Sequence, residues 1–185
     1  ADGRFVVFQS DSNNLVVNDT NAVRDIFVYD RQRNITTRVS TASDGGQANG
    51  DSAYPTISSN GRFVTFTSSA NNLVNGDTNG VADTFVYDRQ ISVTTLVSVA
   101  SGGVQANGAS SSPSISADGR YAGFMSQATN LVMGDTNGRP DNFVYDRQTN
   151  TTVMIPGADY PLFGVANLPM SISSDGRVAF QSSVN

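Results

Sequence analysis

The stretch Asn60-Gly61-Arg62-Phe63-Val64-Thr65-Phe66 decides how the rest of the chain is read. Asn-Gly is a hairpin-turn signal because both residues tolerate positive φ. The run after it carries apolar side chains on both alternating faces, with Phe63 and Thr65 on one and Val64 and Phe66 on the other. A strand wetted on one side alternates cleanly between apolar and polar, so this one is expected in a sheet covered on both sides. The same stretch returns as DGRFVVF at residues 2–8, DGRYAGF at 118–124 and DGRVAF at 175–180. Gly3, Gly61 and Gly119 are 58 residues apart, and Gly176 follows after 57.

A fixed period of that length marks a repeated unit that buries its faces by stacking on its neighbours. Each repeat holds four strand signals: a small-residue strand (PTIS at 55–58, PSIS at 113–116, PMSIS at 169–173), the opening stretch, DTFVYDRQ at 83–90, and TTLVSV at 94–99. Small antiparallel sheets stacked face to face and repeated radially describe a β-propeller. Composition agrees with an all-β chain. All 16 acids are Asp and all 11 bases are Arg, so the good helix formers Glu and Lys are missing, while Gly, Ser, Thr, Asn and Val are plentiful. The 185 residues, 38% of them hydrophobic, suffice for one domain-sized core.

The combination of PxIS, DGR, DxFVYDR and TTxVS resembles the TolB-type (WD40-like) β-propeller repeat over essentially the whole chain. The resemblance implies that the short first strand lines the central axis and that the Asp-Gly turn leads into the second strand. It implies no one activity, since such propellers occur as enzyme scaffolds, partner-binding modules and extracellular repeat domains. The repeats predict a partial blade over 1–52, blades over 53–110 and 111–168, and a partial blade over 169–185. Propellers usually close with roughly four to eight blades, so further blades or another chain are expected to complete the ring.

Several chemistries are excluded. The chain has no His and no Cys, which removes the usual general base, the Ser-His-Asp triad, thiolate chemistry and His-rich zinc sites. Any metal must be held by oxygen. A net charge of -5 argues against nucleic acid or an anionic membrane as partner. No apolar run approaches the roughly 18 residues of a membrane span. No signal peptide precedes Ala1, and since Ala1 falls inside a repeat motif, any such signal would have been lost upstream.

The connection between the second and third strands carries the candidate chemistry. It reads Asp77-x-Asn79-Gly80-x-x-Asp83, repeated as Asp19, Asn21, Asp25 and as Asp135, Asn137, Asp141. Two carboxylates about 4 Å apart repel by roughly 4 kcal/mol at an effective dielectric near 20, so a cation is expected between them. Arg24 and Arg139 lie inside the first and third loops, but the second reads Gly80-Val81-Ala82 with no base. Hard oxygen ligands on a short loop suit Ca²⁺, which accepts 6 to 8 oxygens by rough count, with backbone carbonyls near Val81 and from residues 71–74 adding to the side chains. The loop is not an EF-hand, because Gly80 stands at position four rather than six. Asp30, Asp88 and Asp146 at position twelve lie roughly 17 Å along a strand and cannot reach back. The alternative reading is that Asp and Asn cap turns by their own backbone hydrogen bonds. In the first copy Ala22 replaces the Gly, which weakens the match there.

Antiparallel order puts these loops on one face with the GGQANG-type loops (45–50 and 102–108), whose amides could bind sugar hydroxyls. The recurring YDRQ and the Arg of DGR are expected to be structural, with Asp in the turn and Arg paired or solvated. The last inter-blade loop, PGADYPLFGVANLP at 156–169, brings Tyr160, Leu162 and Phe163 as a partner-docking patch or as local core. The expected function is a non-enzymatic, calcium-binding propeller acting as an extracellular or periplasmic binding or scaffold module for a protein or glycan partner. The alternatives are a carbohydrate-binding propeller and the non-catalytic propeller of a larger hydrolase.

Overall fold

The computed structural model describes residues 2–156 and 170–179. It contains thirteen strands and, among the described residues, no helix. β1 (Phe5–Ser10), β2 (Asp25–Asp30) and β3 (Ile35–Arg38) form a three-stranded sheet. β4 (Ser52–Ile57), β5 (Phe63–Ser68), β6 (Asp83–Asp88) and β7 (Val93–Leu96) form a four-stranded sheet in chain order. β8 (Ser110–Ile115), β9 (Tyr121–Ser126), β10 (Asp141–Asp146) and β11 (Thr151–Met154) repeat it, and β12 (Ser171–Ile172) pairs with β13 (Val178–Ala179). All these pairings are antiparallel. The patch expected around Tyr160, Leu162 and Phe163 lies outside the described residues.

Alternation along one strand divides its side chains between two cores. On β6, Phe85 and Tyr87 join Ile26, Val28, Val64, Phe66 and Leu73 in a core shared with the first sheet. Val86, between them, points the other way and joins Val97, Phe124, Leu131 and Phe143 in a core shared with the third sheet. Every residue of β6 is buried, as expected for a strand apolar on both faces. Within each sheet the second and third strands add a stacked Phe pair, Phe66 on Phe85 and Phe124 on Phe143, at 5.9 and 5.8 Å between centroids.

The first strand of each four-stranded sheet is an edge, which suits its proline. β4 bulges between Ala53 and Thr56, and β8 between Ser111 and Ser114. Tyr54 (φ 55) and Ser112 (φ 52) take positive φ at the same repeat position, each just before a Pro that has no N–H to give a ladder.

The tight-turn face is held by arginine. Arg4, Arg62 and Arg120 of the DGR turns each bond the YDR aspartate of their own sheet, with Nη2 to Asp30, Asp88 and Asp146 at 2.7 Å in all three. The next arginine of each YDR motif crosses to the preceding blade: Arg89 lies over Phe5 at 4.5 Å and Arg147 over Phe63 at 4.2 Å. Phe63 is thereby sandwiched between Arg62 and Arg147. The ring edge abuts Gly119, where a Cβ would lie 1.9 Å from Phe63, just as one on Gly61 would lie 2.1 Å from Phe5. The glycine of the opening stretch is therefore required twice, for positive φ and for the neighbouring blade's ring.

Candidate functional site

The opposite face gathers the loops between second and third strands with the loops that lead to the next sheet. β6 begins at Asp83 on this face and ends at Asp88 on the other, so Asp88 takes no part in the loop site and is committed to Arg62. In the second repeat the two loop carboxylates converge on one nitrogen. Gln105 Nε2 donates to Asp77 Oδ1 at 2.7 Å and to Asp83 Oδ2 at 3.3 Å. Asn79 Nδ2 donates to the same Asp83 oxygen at 2.7 Å and to the Ala106 carbonyl at 3.0 Å. Ser98 Oγ donates to Asp83 Oδ1 at 2.6 Å while accepting Thr84 N–H at 3.1 Å. Asp83 is fully buried, and burial followed by the Asp77 charge pushes its carboxyl pKa up against those donors.

Asn79 is a strut in this arrangement. Its Oδ1 accepts Val81 N–H at 3.1 Å, turning the loop, and its NH₂ ties the carboxylate to the next loop. Gly80 (φ 70) and Gly138 (φ 64) supply the left-handed turn, and Ala22 (φ 56) adopts it too, so the first loop keeps its shape without glycine. Among the described residues no three acidic side chains converge.

The first repeat resolves the same problem with a base. Arg38, at the end of β3, puts Nη1 3.0 Å from Asp19 Oδ1 and 3.5 Å from Asp25 Oδ2, with all three side chains at most one-tenth exposed. Gln47, the counterpart of Gln105, turns away from the carboxylates, accepting Arg38 Nη1 at 2.9 Å and donating to Thr20 Oγ1 and the Asn18 carbonyl. Asn21 and Ser40 hold Asp25 as Asn79 and Ser98 hold Asp83. The bases visible inside the loops are not the counter-charges. Arg24 pairs with exposed Asp11 at 3.1 Å, and the contact Arg139 shows is its backbone N–H donating to Asn137 Oδ1 at 2.8 Å.

In the third repeat the loop aspartates meet a different set of neighbours. Asn137 Nδ2 reaches both Asp141 oxygens at 3.1 and 3.3 Å. Pro156 stands where the second repeat has Ser98, and in the sequence Val165 precedes Ala166-Asn167 where Gln105 precedes Ala106-Asn107. Asp135 is 8% exposed, and among the described residues neither of its carboxylate oxygens has a hydrogen-bond partner. A buried carboxylate without hydrogen-bond donors is costly to keep ionised.

Sequence reasoning gathered Asp19, Asp25, Asp77, Asp83, Asp135 and Asp141 but missed Arg38, Ser98 and Gln105. Ser98 and Gln105 were detectable as members of the 58-residue period, shared with Ser40 and Gln47. Arg38 was masked because its counterparts are Leu96 and Met154. The loop amides read as sugar contacts are engaged within the protein. Asn49 exchanges hydrogen bonds with Asn71, and Asn107 with Thr129.

No family model matches the chain, and no curated protein sequence matches it. Solved structures do. A putative TolB from Agrobacterium tumefaciens matches with TM-score 0.57 and 17% identity, over 97% of this chain and 56% of that one. TolB from Acinetobacter baumannii gives 0.53 and 17%, over 100% and 37%. The β-propeller domain of the trilobed protease from Pyrococcus furiosus gives 0.51 and 13%, over 87% and 41%. The chain thus spans between 37% and 56% of the length of these structures. At such identities the likeness speaks for fold alone: the chain is a run of β-propeller blades, which its four-stranded antiparallel sheets fit.

Proposed function

We propose that this chain is a non-catalytic β-propeller module that presents its loop-rich face to a partner, and that this face is stiffened by cations neutralising its paired carboxylates. Arg38 fills that role in the first repeat, and Ca²⁺ in the second and third. The observation that carries the reading is the Asp135 carboxylate, buried in the loop that leads to Asp141, with neither oxygen partnered among the described residues. Asp135 and Asp141 would hold the ion in the third repeat. Asp77 and Asp83 would hold it in the second, with Gln105 turning as Gln47 does. The ion would supply the positive charge that the amides of the second repeat supply only as dipoles.

Catalysis is disfavoured by the absence of His, Cys, Glu and Lys and by the commitment of the carboxylates to loop structure. Sites of this kind, on extracellular modules, hold calcium at about 10⁻⁴ to 10⁻³ M, which supports an extracellular or periplasmic setting. A protein partner is favoured over a glycan, since the amides that would have met sugar hydroxyls are engaged internally. A second reading, the non-catalytic propeller of a larger hydrolase, draws on the likeness to the trilobed protease's propeller. The reading frame around this segment tests it.

Calorimetric titration of chelator-treated protein with calcium tests the main reading and is expected to give two sites. At a hundredfold excess over the dissociation constant each site adds about 2.7 kcal/mol. That corresponds to a rise of about 5–10 °C in Tm for a chain of this size. No heat of binding and an unchanged melt would overturn the calcium assignment.

A further inference from the structure

We infer that the residue ending the outer strand of each sheet decides whether its carboxylate pair takes an inorganic cation or is neutralised from within the chain. The first repeat supplies the observation: the Arg38 guanidinium occupies the position between Asp19 and Asp25. The register carries it to the other two. Arg38 stands opposite Phe27, Leu96 opposite Phe85 and Met154 opposite Phe143, in the same antiparallel frame. Each of these three phenylalanines follows two residues after the aspartate that opens its strand, so an arginine at 96 or 154 starts from the same place as Arg38 relative to its pair. Leu96 and Met154 are partly buried apolar residues that offer no charge. The side chain that must make way in the second repeat has a precedent for doing so, because Gln47 lies turned from the carboxylates against Arg38 and Thr20, where Gln105 faces them.

The unpartnered Asp135 carboxylate fits the same rule from the other side. In a repeat whose position 154 is Met, whose Ser is Pro156 and whose Gln is replaced by Val165, nothing from the chain meets that charge among the described residues. The 58-residue repeat therefore carries two interchangeable ways to close one loop, and a single side chain selects between them. The inference builds on the calcium reading for what fills the second and third repeats, but its guanidinium half stands independently of it.

Three variants of the full chain test it, each melted in chelator and titrated with calcium. Leu96→Arg and Met154→Arg are each expected to raise the chelator Tm by about 3–6 °C and to lower the calcium stoichiometry by one. Arg38→Leu is expected to lower the chelator Tm by a similar amount and to gain one calcium site, with calcium restoring the melt. Should Arg38→Leu fail to fold, the double variant Asp19→Asn with Arg38→Leu removes the stranded charge as well and is expected to fold. If wild type binds no calcium, the calcium reading fails while the chelator melts still judge the guanidinium. A Leu96→Arg or Met154→Arg protein that melts no higher in chelator overturns the inference, as does one that keeps every calcium site of a wild type that binds calcium.

Discussion

Gly119 shows how much one residue of this repeat has to do. Its φ of +80 lies in the left-handed region, and Phe63 of the preceding blade fills the space a Cβ would need. Gly134 has a similar φ of +87 but nothing within 4 Å. The pair separates conformational from steric cost. Gly134→Ala is expected to destabilise by about 1–2 kcal/mol, the left-handed penalty alone. Gly119→Ala adds overpacking of about 1–3 kcal/mol against the ring. Urea unfolding of both variants measures the difference, and equal losses would mean that the ring moves aside freely. Residue identity made the turn legible in the sequence, since Asn-Gly and Asp-Gly announce positive φ. The Phe63 contact was not legible, because it joins residues 56 positions apart in different sheets. Arg38 was hidden for a related reason: a counter-charge that appears in one repeat of three breaks the periodicity by which the others were found.

At the scale of the element, the third strand ties the two faces of each blade to opposite chemistries. Its far end is an Asp held by the DGR arginine. Arg4 holds the Asp30 carboxyl down at about 2, and Arg120 does the same for Asp146. Burial pushes Asp88 up, but hydrogen bonds from Arg62 and Gln90 N–H outweigh it and leave the carboxyl below its ordinary value. A carboxyl lowered on folding stabilises the fold when ionised. That contribution is complete above the unfolded value near pH 4 and is lost as the pH falls through about 4 toward the folded value near 2. Melting across that window is expected to show a steep fall for wild type and a shallower one for Asp146→Asn, which has one pair fewer to lose. Superimposable slopes would assign the acid sensitivity to other groups. The strands themselves were readable from alternation, including the burial of both faces of β6. At the near end the repeat spacing pointed to the aspartates, but the donors from Ser98 and Gln105 arrive from a later strand end and loop and needed the fold to place them.

Across the whole molecule, the blades are joined by two different interfaces. On the tight-turn face, arginine and ring from adjacent sheets interleave, a contact whose apolar and cationic parts both persist when water is excluded. On the loop face, the sheets meet through hydrogen bonds between loops, such as Asn72 to the Gln47 carbonyl and Asn130 to the Gln105 carbonyl. That second interface adjoins the buried carboxylates whose neutralisation by cations is proposed above. The stacking of sheets into a propeller followed from the 58-residue period, and solved propellers of low identity share it. What the face recognises is a property of its loops, and a likeness at 13–17% identity speaks for the fold alone.

The most direct test of cation closure is an anomalous difference map from crystals grown in excess calcium. The account predicts a peak held by Asp135 and Asp141, a second by Asp77 and Asp83, and, between Asp19 and Asp25, the Arg38 guanidinium with no peak. A map with no peak beside Asp135, or with Arg38 turned to solvent and its two aspartates apart, would contradict it.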